Sequence, residues 1–335
     1  MNVYFDCRWP AGTGIGRMEE IYRAAAPDTA VLHELDLHTR IGSPLSPFAL
    51  TRALRREKAS DPDAVFWNPG FIPPLPGVMK SVVIVHDLIH LHYYTKAHKF
   101  YYDTILRPLY RRCDLIVCIS EHTRAEFVAW SGMPPERVIV IPNAISPDFA
   151  SLSEPLKASR PFIFYAGNRR VFKNVPMMVR AFVASGLPQE GFELVLTGAP
   201  DPALQQIVRD AGVESALQFR GFLDDAQIVA HYKAAACVAY LSKYEGFGLP
   251  ILEAWACDTP ALLSDRTCLP EVGGDAALYV DPDNLDQIAA GMRTLCLQES
   301  VRADFVARGR ARRGMFDASV SSAKLWQAIS RVAAS

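Results

Sequence analysis

The sequence predicts an α/β fold of two Rossmann-like, doubly wound domains facing across a cleft, and three observations lead there. Its 335 residues exceed one ordinary domain and suit two. Short β-branched and apolar runs alternate with longer segments of helical period, the pattern of a parallel sheet covered by helices on both faces. That rhythm occurs twice, on either side of SPDFASLSEPLKASRP (Ser146 to Pro161), which is rich in Ser, Pro and Ala, lacks periodicity and reads as a linker.

In the first half, strands are expected at NVYFD, AVFWNPG from Ala64, SVVIVHD from Ser81, DLIVCIS from Asp114 and VIVIPN from Val138, with helices following Gly14, Thr95 and Glu121. In the second half they are expected at FIFYAG from Phe162, ELVLTG from Glu193, LQFRGF from Leu217, CVAYLS from Cys237, PALLSD from Pro260 and AALYVD from Ala276. The domains are expected at residues 1–155 and 156–315, with 316–335 a helix that packs back on the first domain.

Hydrophobic residues make up 50% of the chain and charged residues 21%, so both halves can bury a core. A formal net charge of −1 gives no global case for nucleic acid, so any anion site must be local. The seven cysteines form no CxxC pair and read as buried reduced thiols. The start, MNVYFDCRWP, lacks the basic and apolar regions of a signal peptide, and no run of about 18 apolar residues occurs. A cytoplasmic protein is expected, with any membrane contact peripheral.

Open parallel sheets bind ligands beyond the carboxyl ends of their strands, so the loops after strands carry the search for chemistry. In YEGFGLPILEAW (Tyr244 to Trp255), Glu245 lies in the loop after a strand, Pro250 suits a first helical turn, and Glu253 falls about one turn into the helix. Eight residues at about 100° each leave the two carboxylates roughly 80° apart, so they grip different parts of one ligand rather than forming one pair. The glycines and the helix start between them favour an anion, and a carboxylate accepts well from vicinal sugar hydroxyls. The plainer alternative is a tight turn with Glu253 on a solvated helix face.

FYAGNRRVFKNVP (Phe164 to Pro176) gathers Arg169, Arg170 and Lys173 in one strand-to-helix loop, where a cation cluster suits a diphosphate without a metal. WPAGTGIGRMEE (Trp9 to Glu20) matches a dinucleotide fingerprint only in part: Gly12 and Gly14 fit, but Arg17 stands at the third glycine position. A nicotinamide enzyme is therefore disfavoured. His86 and Asp87 end the strand SVVIVHD, with His90 and His92 beyond; substrate contact by His86 is preferred to a metal site, for which no partner cluster has ligand spacing. The DPD triplets at Asp61 and Asp281 read as turns rather than metal ligands. The basic, aromatic stretch from Thr95 to Asp114 fits either a core helix with a charged outer face or a helix lying on anionic lipid.

Taken together, these loops resemble those of the retaining GT-B-fold glycosyltransferases of the glycosyltransferase group 1 family, especially members that extend bacterial surface polysaccharides. The resemblance runs through GIGR at Gly14, VHDL at Val85, ISEHTR at Ile119, VIPNAI at Val140, AGNRRVFKN at Ala166, EGFGLPILEA at Glu245 and LPEVGGDAALYVDP at Leu269. It implies that Glu245 contacts the donor sugar hydroxyls and Glu253 the nucleotide ribose, while the amides of Phe247, Gly248 and Leu249 hold sugar and phosphate. It implies that Lys173, with Arg169 or Arg170, stabilises the leaving diphosphate, that Gly14, Ile15 and Gly16 approach it from the first domain, and that His86 faces the donor sugar. Two positions depart from the pattern: Asn168 stands where many members carry a phosphate-binding arginine, and Ala144 where a glycine follows the IPN stretch.

The expectation is therefore a metal-independent hexosyltransferase without a resident cofactor. It would move mannose or a deoxyhexose from a nucleotide-diphosphate sugar, GDP-linked by preference, to a lipid-linked or oligosaccharide acceptor. It is placed in the cytoplasm, with contact at the cytoplasmic face of the inner membrane admitted. The alternatives are a glycoside hydrolase using Glu245 and Glu253, and a nucleotide-sugar-binding protein without turnover.

Overall fold

A computed structural model describes residues 1–10 and 12–335. The chain divides into two compact units, Met1–Ala144 with Ala318–Ser335, and Ile145–Asp317.

The first unit is built on six parallel strands: β1 (Asn2–Phe5), β2 (Val31–Glu34), β3 (Val65–Asn68), β4 (Lys80–Val85), β5 (Leu115–Cys118) and β6 (Val138–Val140), in the order β2-β1-β3-β4-β5-β6. The VFWN of β3 is buried throughout, as a parallel strand covered on both faces must be. Trp67 anchors this core, its ring 5.7 Å from Phe5, 6.2 Å from Tyr22 and 5.9 Å from Trp326. Trp326 belongs to the last helix, Ala318–Ala334, which packs on this unit: Trp326 Nε1 donates to the Tyr22 carbonyl at 2.9 Å and Ser321 Oγ to the Pro142 carbonyl at 2.9 Å.

Five strands are expected in this half and six are present. The additional one, β2, is an edge strand whose VLHE is exposed at both ends, so it lacks the apolar run that marks its neighbours. Helices begin at Gly14, Lys96 and Glu121, capped by the side chains of Thr13, Thr95 and Ser120, which accept from backbone amides of their first turns. The helix from Lys96 passes through a π-helical turn at Tyr102–Leu106 just before Pro108, whose missing N–H breaks the regular ladder.

The second unit repeats the plan with β7 (Phe162–Tyr165), β8 (Glu193–Leu196), β9 (Leu217–Phe219), β10 (Cys237–Tyr240), β11 (Ala261–Ser264) and β12 (Leu278–Val280), all parallel, in the order β12-β11-β10-β7-β8-β9. The chain runs outward from β7 through β8 to β9 and then returns to β10 on the other side of β7. The carboxyl ends of β7 and β10 therefore flank the point where winding reverses, the preferred ligand crevice of such a sheet.

The boundary falls after Ala144 rather than at 155/156, and the Ser146–Pro161 stretch is not a free linker. Phe149–Leu152 forms a 3₁₀ turn, Lys233 Nζ donates to the Ser153 carbonyl at 2.8 Å, and the Leu156 amide donates to the Ala230 carbonyl at 2.9 Å. These hydrogen bonds dock the stretch on the second unit despite its coil-like composition. The seven cysteines are free thiols, and all but Cys7 are buried.

Within the first unit, Glu19 is a buried carboxylate in the Gly14–Ala24 helix. Its Oε1 lies 3.5 Å from Arg23 Nη1, and its Oε2 has no hydrogen-bond partner among the described residues. Burial raises its pKa to about 7; Arg23 opposes the rise, and Asp6 and Glu34 add to it. A raised folded-state pKa stabilises the fold fully below the unfolded value of about 4.5, and that contribution is lost as pH rises through 7. Glu19→Gln should accordingly leave Tm nearly unchanged at pH 4.5 and raise it at pH 8, by up to about 2–3 kcal/mol of stability. Equal shifts at both values would show that the carboxylate does not titrate in this window.

Candidate active site

The loop after β7 is shaped by its own side chains. Asn168 Oδ1 accepts from the Arg170 amide at 3.2 Å, Val171–Lys173 forms a 3₁₀ turn, and Asn174, at φ 58°, caps the Val175–Ala184 helix. The loop after β10 is tied to it, because the Lys243 amide donates to the Phe172 carbonyl at 2.7 Å. At this junction Lys173 Nζ lies 2.6 Å from Glu245 Oε1, although 72 residues separate them. Their side chains are only 18% and 15% exposed. Ser242 Oγ donates to the same oxygen at 2.7 Å, the Glu245 amide donates to Thr267 Oγ1 at 3.2 Å, and Cys268 Sγ to the Glu245 carbonyl at 3.2 Å.

Beyond Glu245 the chain turns into the Leu249–Ala256 helix through Gly248, whose φ of +99° is left-handed. A Cβ there would come within 2.8 Å of Ile251 Cδ1 and 3.1 Å of Leu269 Cδ2, so both conformation and space require glycine. No side chain caps this helix, and Pro250 stands in its first turn. The first-turn amides at Gly248 and Leu249 have no intrahelical acceptor, which makes them donors for an anion. Phe247 is buried, its ring 5.6 Å from Phe316, so it offers its backbone rather than its side chain.

Glu253 corrects the solvated-face alternative: it is buried, and Tyr232 Oη donates to its Oε2 at 3.0 Å. The two carboxylates thus have separate partners, Lys173 for Glu245 and Tyr232 for Glu253. Arg169 and Arg170 also separate. Arg169 donates to the Ala199 carbonyl after β8, stands 5.1 Å over the Phe219 ring and lies 3.9 Å from the Asp201 carboxylate, so its charge is committed to the neighbouring loop. Arg170 is exposed.

In the first unit, Gly14 and Ile15 open a helix whose first amides have no intrahelical acceptor, whereas the Gly16 amide is taken by Thr13 Oγ1 at 3.0 Å and Gly16 is buried. Of these three, Gly16 is thereby corrected as an anion contact. Ala11 of this loop lies outside the described residues. His86 directly follows β4, and its Nε2 donates to the Pro69 carbonyl at 2.7 Å. Burial lowers its pKa to about 4, so at neutral pH the ring is uncharged, with the proton on Nε2 and an acceptor lone pair on Nδ1.

His90 Nδ1 bonds the Tyr102 hydroxyl and His92 pairs with Glu126, so these histidines do not converge on one point. Asp281 pairs with Arg266, and Asp283 with Lys243. Among the described residues no group of His, Cys, Asp and Glu is arranged to hold a metal ion. The sequence reading missed Tyr232, Tyr240, Ser242 and Thr267. Only Ser242, three residues before Glu245, carried a local signal; the others meet the site through the fold.

Comparison with known proteins fits this geometry. Residues 149–312 match the family of glycosyl transferases group 1, and residues 18–149 match glycosyltransferase family 4. The chain is 30% identical over 272 residues to O-antigen chain mannosyltransferase B of Escherichia coli, covering 76% of this chain and 71% of that protein. It belongs to the glycosyltransferase group 1 family.

This glycosyltransferase is also 30% identical over 246 residues to the serotype-specific mannosyltransferase WbdA of Escherichia coli, which covers 66% of this chain but only 30% of WbdA's length. Among solved structures it resembles sucrose-phosphate synthase from Thermosynechococcus elongatus, with TM-score 0.77, 16% identity and coverage of 100% of this chain and 99% of that one. WaaG, a glycosyltransferase involved in lipopolysaccharide biosynthesis, gives TM-score 0.71 at 16% identity over 98% of this chain and 99% of that one. These likenesses establish the fold as GT-B, with two Rossmann-like domains. No helix among the described residues is long and apolar enough to cross a membrane.

Proposed function

We propose that this glycosyltransferase moves a hexose, mannose or a deoxyhexose, from a GDP-sugar to a lipid-linked or oligosaccharide acceptor in surface polysaccharide biosynthesis, with retention of configuration and without metal. The observation that carries the reading is the meeting of Lys173 and Glu245 at the winding reversal of the second sheet, beside an uncapped helix start. One side of that crevice offers cations and amides for a diphosphate, and the other offers a carboxylate for hydroxyls. The mannosyltransferases among the relatives support the choice of sugar and pathway.

In this reading Lys173 and Arg170, with the amides of Phe247, Gly248 and Leu249, neutralise the diphosphate as it leaves. Glu245 orients the sugar hydroxyls and Glu253 the ribose. The acceptor's proton passes to the departing phosphate, because neither unit presents a base beside a nucleophile. His86, uncharged, serves as a hydrogen-bond acceptor for a sugar hydroxyl rather than as an acid. Lys173 and the helix start supply the charge that a metal would otherwise bring, and no resident cofactor is required. Any association with the inner membrane is peripheral.

The deciding experiment is a thermal-shift panel of GDP, UDP, ADP and dTDP with their sugar conjugates, with and without chelator. GDP compounds should stabilise the protein increasingly with concentration, as linkage requires, and chelator should change neither the shift nor turnover. A well-folded sample shifted by no nucleotide would end the transferase reading. Abolition of activity by chelator would overturn its metal-free part.

A further inference from the structure

Glu253 is held by a chain of buried hydroxyls that lies outside every recognisable motif of the sequence. Tyr232, in the Asp225–Ala234 helix, is fully buried and donates to Glu253 Oε2 at 3.0 Å. Tyr240, at the end of β10, places its hydroxyl 2.9 Å from that of Tyr232. Each phenol has one proton; with the Tyr232 proton on Glu253, the Tyr240 proton has two acceptors, the Tyr232 oxygen at 2.9 Å and the Ala166 carbonyl at 3.4 Å, of which the first is nearer. The two rings are fixed by the sheet itself: Tyr232 packs edge-on against Phe164 of β7 at 5.3 Å, and Tyr240 lies 5.6 Å from Tyr165. Thr259 Oγ1 also donates to the Tyr232 carbonyl at 2.6 Å, pinning the backbone that carries the ring.

We infer that Tyr232, backed by Tyr240, is a positioning residue that sets the rotation of the Glu253 carboxylate for recognition of a nucleotide's ribose diol. A buried carboxylate on a helix can turn about its last torsions, and a diol is matched only when both oxygens lie in the right plane. Fixing Oε2 from behind selects that plane, while a carboxylate's roughly four acceptor sites leave capacity for the two ribose hydroxyls. The arrangement also gives both phenols work that phenylalanine could not do: Tyr232 ends on Glu253, while Tyr240 reaches Tyr232 and the Ala166 carbonyl. This inference rests on the assignment of Glu253 to the ribose in the reading above.

The test compares the affinities of GDP and 2′,3′-dideoxy-GDP, with UDP and its dideoxy form in parallel, for the intact protein and its variants. The protein should prefer the ribonucleotide by about 10-fold or more, the scale of hydrogen bonds to a charged group. Tyr232→Phe should shrink that preference at least about threefold while leaving dideoxynucleotide affinity unchanged, and Tyr240→Phe should act in the same direction more weakly. Glu253→Gln should remove most of the preference, and adding Tyr232→Phe to it should change nothing further, because both act through one contact.

Equal loss of affinity for both nucleotides in Tyr232→Phe, or an unchanged preference, would overturn the inference. A protein that binds GDP without preferring the ribose would also overturn it while leaving the transferase reading intact. Failure to bind any nucleotide would overturn both.

Discussion

Lys173→Ala should lower sugar-transfer turnover about 100-fold or more, the cost of losing one preorganised charge donor from a transition state that develops negative charge. Lys173 Nζ sits 2.6 Å from Glu245 with its side chain 18% exposed, so its charge is held at the winding reversal rather than ranging through solvent. A competing explanation is that Lys173 only props Glu245 in place. The two are separated by Glu245→Gln, which keeps the shape, removes the charge and releases Lys173 from its ion pair. If Lys173 takes the diphosphate, GDP should bind more weakly to Lys173→Ala and at least as tightly to Glu245→Gln, while both lose turnover. If Lys173 is only a prop, both variants should bind GDP normally and their turnover losses should not add. Turnover of Lys173→Ala within a few-fold of the parent would remove Lys173 from the chemistry.

The same pair shows how far the sequence could be read. Lys173 and Glu245 are each visible as polar residues in loops after strands, because apolar runs ending in a glycine or a polar residue mark where a parallel strand gives way to a loop. That they touch depends on strand order. Only β10 returning beside β7 brings the two loops together, and no local spacing encodes that return. Arg169 and Arg170 were indistinguishable as letters, and the structure separates them because the Ala199 carbonyl and the Phe219 ring take up the first.

Glu253 appeared able to face solvent because its helix, LPILEAWA, is apolar almost all round and gives periodicity little to work with. The tyrosine that holds it comes from a different helix, 21 residues earlier. In the first unit β2 escaped notice for the converse reason, since an edge strand needs no continuous apolar run. The Ser146–Pro161 stretch had the composition of a linker, yet two hydrogen bonds to the Asp225–Ala234 helix were enough to seat it.

Asp6→Ala should cost the first unit about 3–5 kcal/mol of stability, a large share of what a domain has. Asp6 directly follows β1 and has no exposed surface, and Arg8 clasps it with Nε on Oδ1 and Nη2 on Oδ2, both at 2.7 Å. Arg8 Nη1 also donates to the Thr39 carbonyl at 2.8 Å and to Thr39 Oγ1 at 2.7 Å, and the Arg8 side chain is only 10% exposed. Removing the carboxylate therefore leaves a guanidinium that is only 10% exposed without its counter-charge, which costs more than the pair itself contributes. Replacing both residues, as Asp6→Leu with Arg8→Met, should recover most of the loss, because it removes the stranded charge along with its partner. Urea unfolding followed by tryptophan fluorescence suits the test, since four of the five tryptophans, Trp9, Trp67, Trp130 and Trp326, belong to this unit. A loss below about 1 kcal/mol for Asp6→Ala would mean that Arg8 finds water when released, as a surface pair does. A double variant as unstable as the single one would instead locate the cost in the backbone geometry that the pair imposes on residues 6–8, directly after β1.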